Sequence, residues 1–319
     1  MQLLDIHIDW LSFTFPKPLK YHQMTMIKHF VITVLGFTYL QPTKKGTKAK
    51  HYLYEGDILN KHNNKVGFFG FGGNNNTILI VLTGRAFNSL YTRRSIDPLK
   101  TIKRLRNNIR KLGGRITRVD LAMDDLQGHY NIKYAKTAYK EGHFSRRGPS
   151  PKNLTYTNSD GGSTLRVGTV ESGKTMTIYR KGIKEKAINK KWMRWELRLS
   201  RKGKEINLNV LVNPGLAFKN SYPVTQEMNI STNDTDIETR IEQVKKNEEI
   251  DLQSMLTHCR NSYGKLIHYL VKKKIPSELI IASLIGEKGP PARLKKWIGD
   301  HDLKKSEIIE ILHESIEEH

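Results

Sequence analysis

The sequence has one cysteine and no long apolar run. Cys259 has no partner for an internal disulfide, which fits a reducing compartment, and we expect it to be a small buried residue of a helix. No stretch reaches the roughly 18 consecutive apolar residues that a transmembrane helix needs. The start, Met1–Asp5, lacks the basic and apolar regions of a signal peptide. These absences predict a soluble, cytoplasmic protein without a membrane partner.

Acidic residues are scarce in the first part of the chain. Residues 1–230 hold 40 lysines and arginines against 15 acids, a net charge of +25, whereas residues 231–319 hold 14 against 16. A basic region of this strength favours nucleic acid as partner, because bound phosphates are neutralised and their counterions are released. Ribosomal association or an anionic membrane surface would need a similar charge balance, but we favour the interpretation that the partner is nucleic acid.

Alternating and helical periodicities predict an α+β fold with a central, mostly antiparallel sheet flanked by helices and followed by a helical C-terminal appendage. The predicted strands cover residues 6–15, 52–55, 65–71, 77–83, 115–125, 163–169, 174–181 and 192–200, and the predicted helices cover residues 22–35, 98–112, 132–141, 252–273, 277–285 and 304–317. The division that follows is a basic domain at 1–228, a flexible linker at 229–249 and a helical region at 250–319. The sequence shows no internal repeat.

The predicted strand 115–125 carries an acid pair within the basic region. In a strand Arg118, Asp120, Ala122 and Asp124 share one face, and the intervening apolar residues share the other. Two carboxylates on one face repel each other and lose solvation on burial unless a cation balances them. This pattern outlines a divalent metal site.

Two further strands supply polar residues that complete this outline. Glu196 lies between Arg194 and Arg198, and Tyr179 shares a face with Lys181. If the strands come together, Asp120, Asp124 and Glu196 surround a hard cation, Mg²⁺ or Mn²⁺, which prefers oxygen ligands. The metal polarises a phosphate, and the tyrosine beside it is a candidate nucleophile. Arg180 and Lys181 are available to stabilise the phosphate or the leaving oxygen.

Each of these features also has a structural explanation. An acid pair on a strand is often salt-bridged to a neighbour such as Arg118, and Glu196 between arginines is typical of a surface ion-pair ladder. Tyr179 is compatible with a half-buried sheet residue. A non-catalytic DNA-binding protein that regulates an origin or promoter is therefore the alternative to an enzyme. A tyrosine recombinase is disfavoured, because the last tyrosine, Tyr269, lies in an apolar helical segment.

Three segments resemble a known family when they are taken together. Arg118–Asp124 matches its R-h-D-h-a-h-D strand, residues 164–182 look like its glycine-containing hairpin, and residues 192–199 are similar to its strand with a central R-h-E. Ile8–Thr14 matches the opening of its phage branch, and Leu211, Pro214 and Tyr222-Pro223 match that branch's downstream pattern. The family is the replication initiation factors of filamentous phages and rolling-circle plasmids. The resemblance covers about residues 6–225.

The resemblance implies a metal-dependent enzyme that nicks and rejoins origin DNA, with residues 1–228 as its catalytic domain. In such initiators a tyrosine attacks one phosphodiester of a hairpin or single-stranded segment and becomes linked to the 5′ phosphate. The free 3′ hydroxyl primes synthesis by a polymerase while a host helicase unwinds the duplex. Some initiators act as dimers. By this resemblance Tyr179 and Lys181 are the catalytic residues.

Two departures from the family pattern bear on the nucleophile. Arg166 occupies the position at which the family often has a second tyrosine. The nucleophile is therefore either Tyr179 or a residue elsewhere in the chain. The family's Tyr-Asp-Lys reads Tyr179-Arg180-Lys181 here. The basic residues expected to contact DNA are Arg118, Arg166, Lys174, Arg180, Arg194, Arg146, Arg147, Lys103 and Arg104. The aromatic candidates for base stacking are Trp10, Trp192 and Tyr156.

Overall fold

The structure is a computed structural model. It describes residues 3–16, 22–39, 41–44, 49, 51–92, 97–145, 150–151, 154–159, 162–202, 204–232 and 237–284, and the single residues 305, 308, 309 and 312. Its strands are β1 (Ile6–Pro16), β2 (Thr38–Tyr39), β3 (Thr43–Lys44), β4 (Tyr52–Leu59), β5 (Lys65–Gly73), β6 (Thr77–Thr83), β7 (Arg115–Asp125), β8 (Leu154–Ser159), β9 (Gly162–Val167), β10 (Lys174–Arg180) and β11 (Met193–Ser200). Its helices are α1 (Gln23–Lys28), α2 (Gly84–Tyr91), α3 (Pro98–Lys111), α4 (Ile132–Lys140), α5 (Lys181–Lys184), α6 (Pro214–Lys219), α7 (Pro223–Gln226), α8 (Ile237–Lys272) and α9 (Ser277–Leu284).

The strands form one antiparallel sheet in the order β2-β4-β5-β6-β1-β7-β11-β10-β9-β8, with β3 paired to β4. The predicted α+β fold is therefore confirmed. Alternation sends Ile8, Leu11 and Phe13 of β1 and Val119 and Leu121 of β7 into one apolar core. Helices α1, α3, α4 and α6 bury their apolar residues in that same core, so they cover this face of the sheet.

The sheet consists of two units with the same topology. In the first unit β1 leads through α1 to β4, β5 and β6, which lie in the order β1-β6-β5-β4. In the second unit β7 leads through α4 to β9, β10 and β11, which lie in the order β7-β11-β10-β9. Because β1 and β7 pair antiparallel at the centre, an approximate two-fold axis perpendicular to the sheet relates the units. The sequence shows no internal repeat, but the topology of the sheet is repeated.

Several predicted boundaries differ from the observed elements. Helix α2 and strand β8 were not expected, since Gly84 opens α2 and polar residues dominate β8. Helix α8 begins at Ile237 and not at Leu252, which makes most of the predicted flexible linker helical. The reason is local, because residues 237–249 are rich in glutamate, lysine and glutamine, which are good helix formers. The predicted helix at 304–317 falls almost wholly outside the described residues.

The C-terminal helices expose most of their described side chains. Cys259 lies exposed on α8, contrary to the expectation that it is buried. Leu279 and Ile281 of α9 are also exposed, whereas Ile280 is buried. No helix in the part of the chain that the structure describes is long and apolar enough to cross a membrane.

Candidate active site on the polar face of the sheet

The sheet face opposite the core carries the predicted site residues in neighbouring strands. Arg194 of β11 pairs with Asp124 of β7, and Glu196 pairs with Ala122. On the other side of β11, Tyr179 of β10 pairs with Arg194. Directly paired residues project to the same face of a sheet. The structure therefore brings Tyr179, Arg194 and the acids of β7 and β11 onto one surface.

Asp124 is buried in a fork of hydrogen bonds. Arg194 donates from Nε to Asp124 Oδ1 (2.7 Å) and from Nη2 to Oδ2 (2.5 Å), and Trp192 Nε1 donates to Oδ1 (2.9 Å). His7 Nε2 lies 3.7 Å from Asp124 Oδ2. Burial alone would raise the pKa of the Asp124 carboxyl, but the Arg194 guanidinium outweighs it and holds that pKa well below its ordinary value. Asp124 is thus an ionised acid paired with the buried Arg194 guanidinium.

Asp120 is held by a different pair of arginines. Arg118 donates from Nε to Asp120 Oδ1 (2.8 Å) and from Nη2 to Oδ2, and Arg198 Nη2 donates to Oδ2 (3.1 Å). The salt-bridge explanation of the acid pair is therefore correct for Asp120. The two acids are also far apart, because four residues of strand separate their Cα atoms by about 13 Å.

Asp9 is a site residue that the sequence interpretation missed. The pairing of β1 with β7 shifts between Ile8 and Trp10, so that Asp9 sits in a bulge beside Asp120. Arg194 Nη1 donates to Asp9 Oδ1 (3.3 Å), so one guanidinium bridges Asp9 and Asp124. The signal available in the sequence is the Ile8-Asp9-Trp10 segment itself, which places an acid within the match to the family pattern.

Glycine at position 84 makes room for Asp9. A Cβ at Gly84 would lie 2.8 Å from Asp9 Oδ1 and 3.3 Å from the Asp9 carbonyl oxygen. Both distances are below ordinary van der Waals contact. The first residue of α2 therefore lies against the Asp9 carboxylate without a side chain between them.

Glu196 lies on the same face with a weaker ion pair. Its Oε1 is 3.7 Å from Arg198 Nη2, and its paired neighbour on β7 is Ala122, whose side chain is only a methyl group. Burial, followed by the charges of Asp9 and Asp120, raises the pKa of the Glu196 carboxyl. The raised pKa favours the protonated form of this carboxyl relative to an exposed glutamate.

Tyr179 is on the polar face and is 8% exposed. Lys184 Nζ lies 4.8 Å from its ring centroid. Burial raises the pKa of the Tyr179 phenol; Arg194 opposes this effect, while Glu196, Asp124 and Asp9 add to it. Lys181, the first residue of α5, lies with Nζ 3.5 Å from Glu185 Oε1, and burial lowers its pKa. The phenol is therefore protonated at rest and needs a proton acceptor before it can attack.

The metal set predicted from sequence does not converge in this arrangement. Among the described residues no three histidine, cysteine or acidic side chains are grouped closely enough to hold an ion. Asp120 and Asp124 are too far apart along β7 to share one ion. Asp9, Asp124 and His7 do surround a single positive group, the Arg194 guanidinium, whose Nη2 is 3.3 Å from His7 Nε2. The two carboxylates are donors that suit Mn²⁺ or Mg²⁺, whereas an imidazole is a softer donor that Mg²⁺ does not favour.

The predicted DNA contacts divide between different surfaces. Arg166 and Arg180 are exposed, and Arg166 pairs with Thr177 on the polar face. Lys103 and Arg104 are exposed on α3, which packs on the core face, away from the acids. Lys174 Nζ donates to the Ser221 carbonyl oxygen (2.8 Å). Arg146 and Arg147 lie outside the described residues.

The three aromatic candidates also lie in different places. Trp192 is 5% exposed and donates a hydrogen bond to Asp124, so it is part of the acid cluster and is not available for base stacking. Tyr156 pairs with the core residue Leu165 and has Lys136 Nζ 3.2 Å from its ring centroid, so it faces the helical side. Trp10 is half-buried on the polar face, with Asp120 as its paired neighbour.

Comparison with known proteins agrees with this fold. No curated protein matches the sequence. A rolling circle replication initiator protein from Geobacillus stearothermophilus has a similar structure, with a TM-score of 0.51, 17% identity, and coverage of 76% of this chain and 96% of that chain. The model of the family described as replication initiation factor matches residues 114–285, which include β7, β10, β11 and the acids between them. The chain therefore belongs to the replication initiation factor family.

Proposed function

We propose that this protein initiates rolling-circle replication by nicking and rejoining one strand of origin DNA through a tyrosine-linked intermediate. The observation that carries the proposal is the juxtaposition on one sheet face of Tyr179, Arg194 and an acid cluster, in a chain of this family. The net charge of +25 over residues 1–230 supplies attraction for the phosphate backbone.

In the proposed reaction the Tyr179 hydroxyl oxygen attacks a phosphodiester phosphorus. A bond forms between that oxygen and phosphorus, the bond from phosphorus to the 3′ oxygen breaks, and the 3′ oxygen takes a proton from solvent water and leaves as a hydroxyl. Glu196 is the proton acceptor in this proposal, since it is the diagonal cross-strand neighbour of Tyr179 and its raised pKa suits proton exchange. Arg194 and Lys181 stabilise the charge that develops on the phosphate. Attack by the 3′ hydroxyl on the phosphotyrosine reverses these steps and rejoins the strand.

Metal dependence is part of the proposal, with a corrected set of ligands. Asp9 and Asp124 would hold Mg²⁺ or Mn²⁺ only after Arg194 turns toward the phosphate and the two carboxylates move together, and the ion would neutralise phosphate charge. Binding is measurable without catalysis. With a single-stranded oligonucleotide bound, Mn²⁺ should raise the melting temperature of the wild-type protein, and Asp9→Asn should weaken that stabilisation. Equal stabilisation of both proteins would contradict this ligand set.

Tyr179→Phe tests the nucleophile. The variant should bind origin DNA as the wild type does but form no covalent DNA–protein adduct, because the attacking oxygen is gone. The assay uses supercoiled plasmid carrying the protein's own origin, with Mn²⁺, and peptide mapping of the adduct. Tyr222→Phe is the matched control, since Tyr222 is another buried tyrosine of the same domain. An adduct that survives Tyr179→Phe would assign the reaction to another residue.

A non-catalytic origin-binding protein is the second candidate. The observation that favours it is the neutralisation of Asp120 and Asp124 by arginines, which is compatible with a purely structural role. Binding of the origin by the wild type without any nick in Mg²⁺ or Mn²⁺ would support this second function.

The remaining partners follow from the proposed reaction. A polymerase would extend the 3′ hydroxyl, and a host helicase would separate the strands. The exposed apolar residues of α8 and α9, among them Leu266 and Leu279, are available for a homodimer contact.

A further inference from the structure

We propose that the half of the polar sheet face built by β1, β6 and β5 is a stacking site for the bases of single-stranded DNA, centred on Trp10 and Phe68. This inference rests on the proposed nicking function and adds to it a binding subsite beside the acids. The subsite would hold bases next to the cleaved phosphate and would not depend on their sequence.

The two rings form an accessible aromatic pair. Trp10 and Phe68 have ring centroids 6.4 Å apart and an interplanar angle of 65°, and both side chains are half-buried and not fully enclosed. The Arg118 guanidinium carbon lies 4.8 Å from the centroid of the Trp10 ring. Aromatic side chains with an arginine nearby are the features on which single-stranded nucleic acids stack.

The internal repeat shows what is unusual about this surface. The polar-face row of the second unit reads Ala122, Glu196 and Thr177, whereas the corresponding row of the first unit reads Ser12, Val81 and Phe68. From β1 to β5 this sheet face is therefore an apolar, aromatic half beside a charged half. The next residue of the row, Asp57 of β4, is charged and is paired with Lys65 (Nζ to Oδ1, 2.7 Å). The described helices α1, α3, α4 and α6 bury their apolar residues on the opposite face of the sheet.

The position of Trp10 favours a DNA strand as the occupant. Trp10 is paired with Asp120 and follows Asp9, which Arg194 contacts, so the aromatic half begins where the acid cluster ends. Three strand spacings, about 14 Å, separate β1 from the strand of Tyr179. A strand whose phosphate lies at Tyr179 would pass over Trp10 as it crosses the sheet. The positive charge of this domain fits a polyanion.

Two measurements with a single-stranded oligothymidine test the proposal: the affinity of the protein for it and the change in tryptophan fluorescence on binding. The oligothymidine contains no origin sequence. Trp10→Ala should weaken binding of this oligonucleotide about tenfold, because a stacked base loses its partner, while binding of a duplex of equal length changes little. Trp10→Phe should keep most of the affinity. Tyr54→Ala is the control, since Tyr54 is an exposed aromatic residue that pairs with Phe71 on the core face.

The Trp10→Phe variant also serves as a control for misfolding of Trp10→Ala. Of the other three tryptophans, Trp192 and Trp195 are buried and Trp297 lies outside the described residues. Oligothymidine should quench wild-type fluorescence, and Trp10→Phe should remove that quenching although the DNA still binds. Quenching that persists in Trp10→Phe, or equal loss of single- and double-stranded binding in Trp10→Ala, would overturn the proposal. Since no cleavage is measured, failure of the nicking function leaves this test intact.

Discussion

Arg194 determines the electrostatics of the site at the level of single residues. Its guanidinium contacts Asp124, Asp9 and His7, and it is itself 6% exposed. Taking both charges of an ion pair out of water is costly, and the geometry must compensate for the lost solvation. The fork on Asp124 provides that geometry. Removing Arg194 would leave a buried carboxylate without its main partner.

Arg194→Met should therefore lower the free energy of unfolding by about 3 kcal/mol, the cost typical of breaking a buried ion pair. Urea denaturation in the presence of a chelator measures it. Adding Asp124→Asn should restore part of the loss, because the amide oxygen can still accept from Trp192 without a buried charge. Arg166→Met removes an exposed arginine and should change stability by at most about 0.5 kcal/mol. Equal effects of the two single variants would show that Asp124 does not depend on Arg194.

Tyr222, which packs against Phe144 in the core, gives the stability of the protein a dependence on alkaline pH. Burial raises the pKa of its phenol, so the folded protein favours the protonated form more than the unfolded chain does. The resulting stability is fully present below the ordinary phenol pKa of about 10 and is lost as pH rises above it. Tyr222→Phe keeps the ring on which Lys174 Nζ lies at 3.9 Å, and it should lose less stability between neutral and alkaline pH than the wild type. Identical alkaline losses in urea denaturation would refute this role.

At the level of elements, the register of the paired strands determines which acidic side chains lie close together. The acid strand, the hairpin and the R-h-E strand were predictable, because alternation fixes the face of each side chain once the strands are known. The bulge at Asp9 was not predictable, since it depends on pairing between β1 and β7, which are more than 100 residues apart. The arginines around Asp120 have two sources, since Arg118 is two residues away on β7 and Arg198 is placed by the pairing of β11 with β7.

Gly84→Ala tests how the junction of β6 and α2 positions Asp9. The new Cβ would displace the Asp9 carboxylate from Arg194, so nicking of origin plasmid should fall at least severalfold. Stability should change little, because alanine is the better helix former at the first position of α2. Gly264→Ala in α8 is the control, since its Cβ would meet Arg260 only at an ordinary 3.6 Å. If Gly84→Ala nicks the plasmid normally, the position of the Asp9 carboxylate is not required for the reaction.

At the level of the whole molecule, the repeated topology carries two different surfaces. The apolar residues that face the core are similar in the two units, whereas the polar-face residues differ at the compared positions. A repeat of this kind leaves little trace in the sequence, because the core requires only apolar character at alternating positions. The family resemblance was visible for the opposite reason, since charged residues at fixed spacing are more specific than apolar alternation.

The face of the sheet on which a basic side chain lies determines whether that side chain can contact the DNA. Arg166 lies exposed on the polar face, and Lys103 lies exposed on α3 at the core side. If the strand crosses the polar face, Arg166→Gln should weaken binding of single-stranded oligothymidine and reduce the slope of log affinity against log salt by about 0.7, the value for one phosphate contact. Lys103→Gln removes the same charge from the same domain. Its slope should equal that of the wild type, because a long-range field would be screened at physiological salt while a direct contact releases a counterion. Equal reductions in both variants would mean that DNA binding follows net charge and does not depend on this face of the sheet.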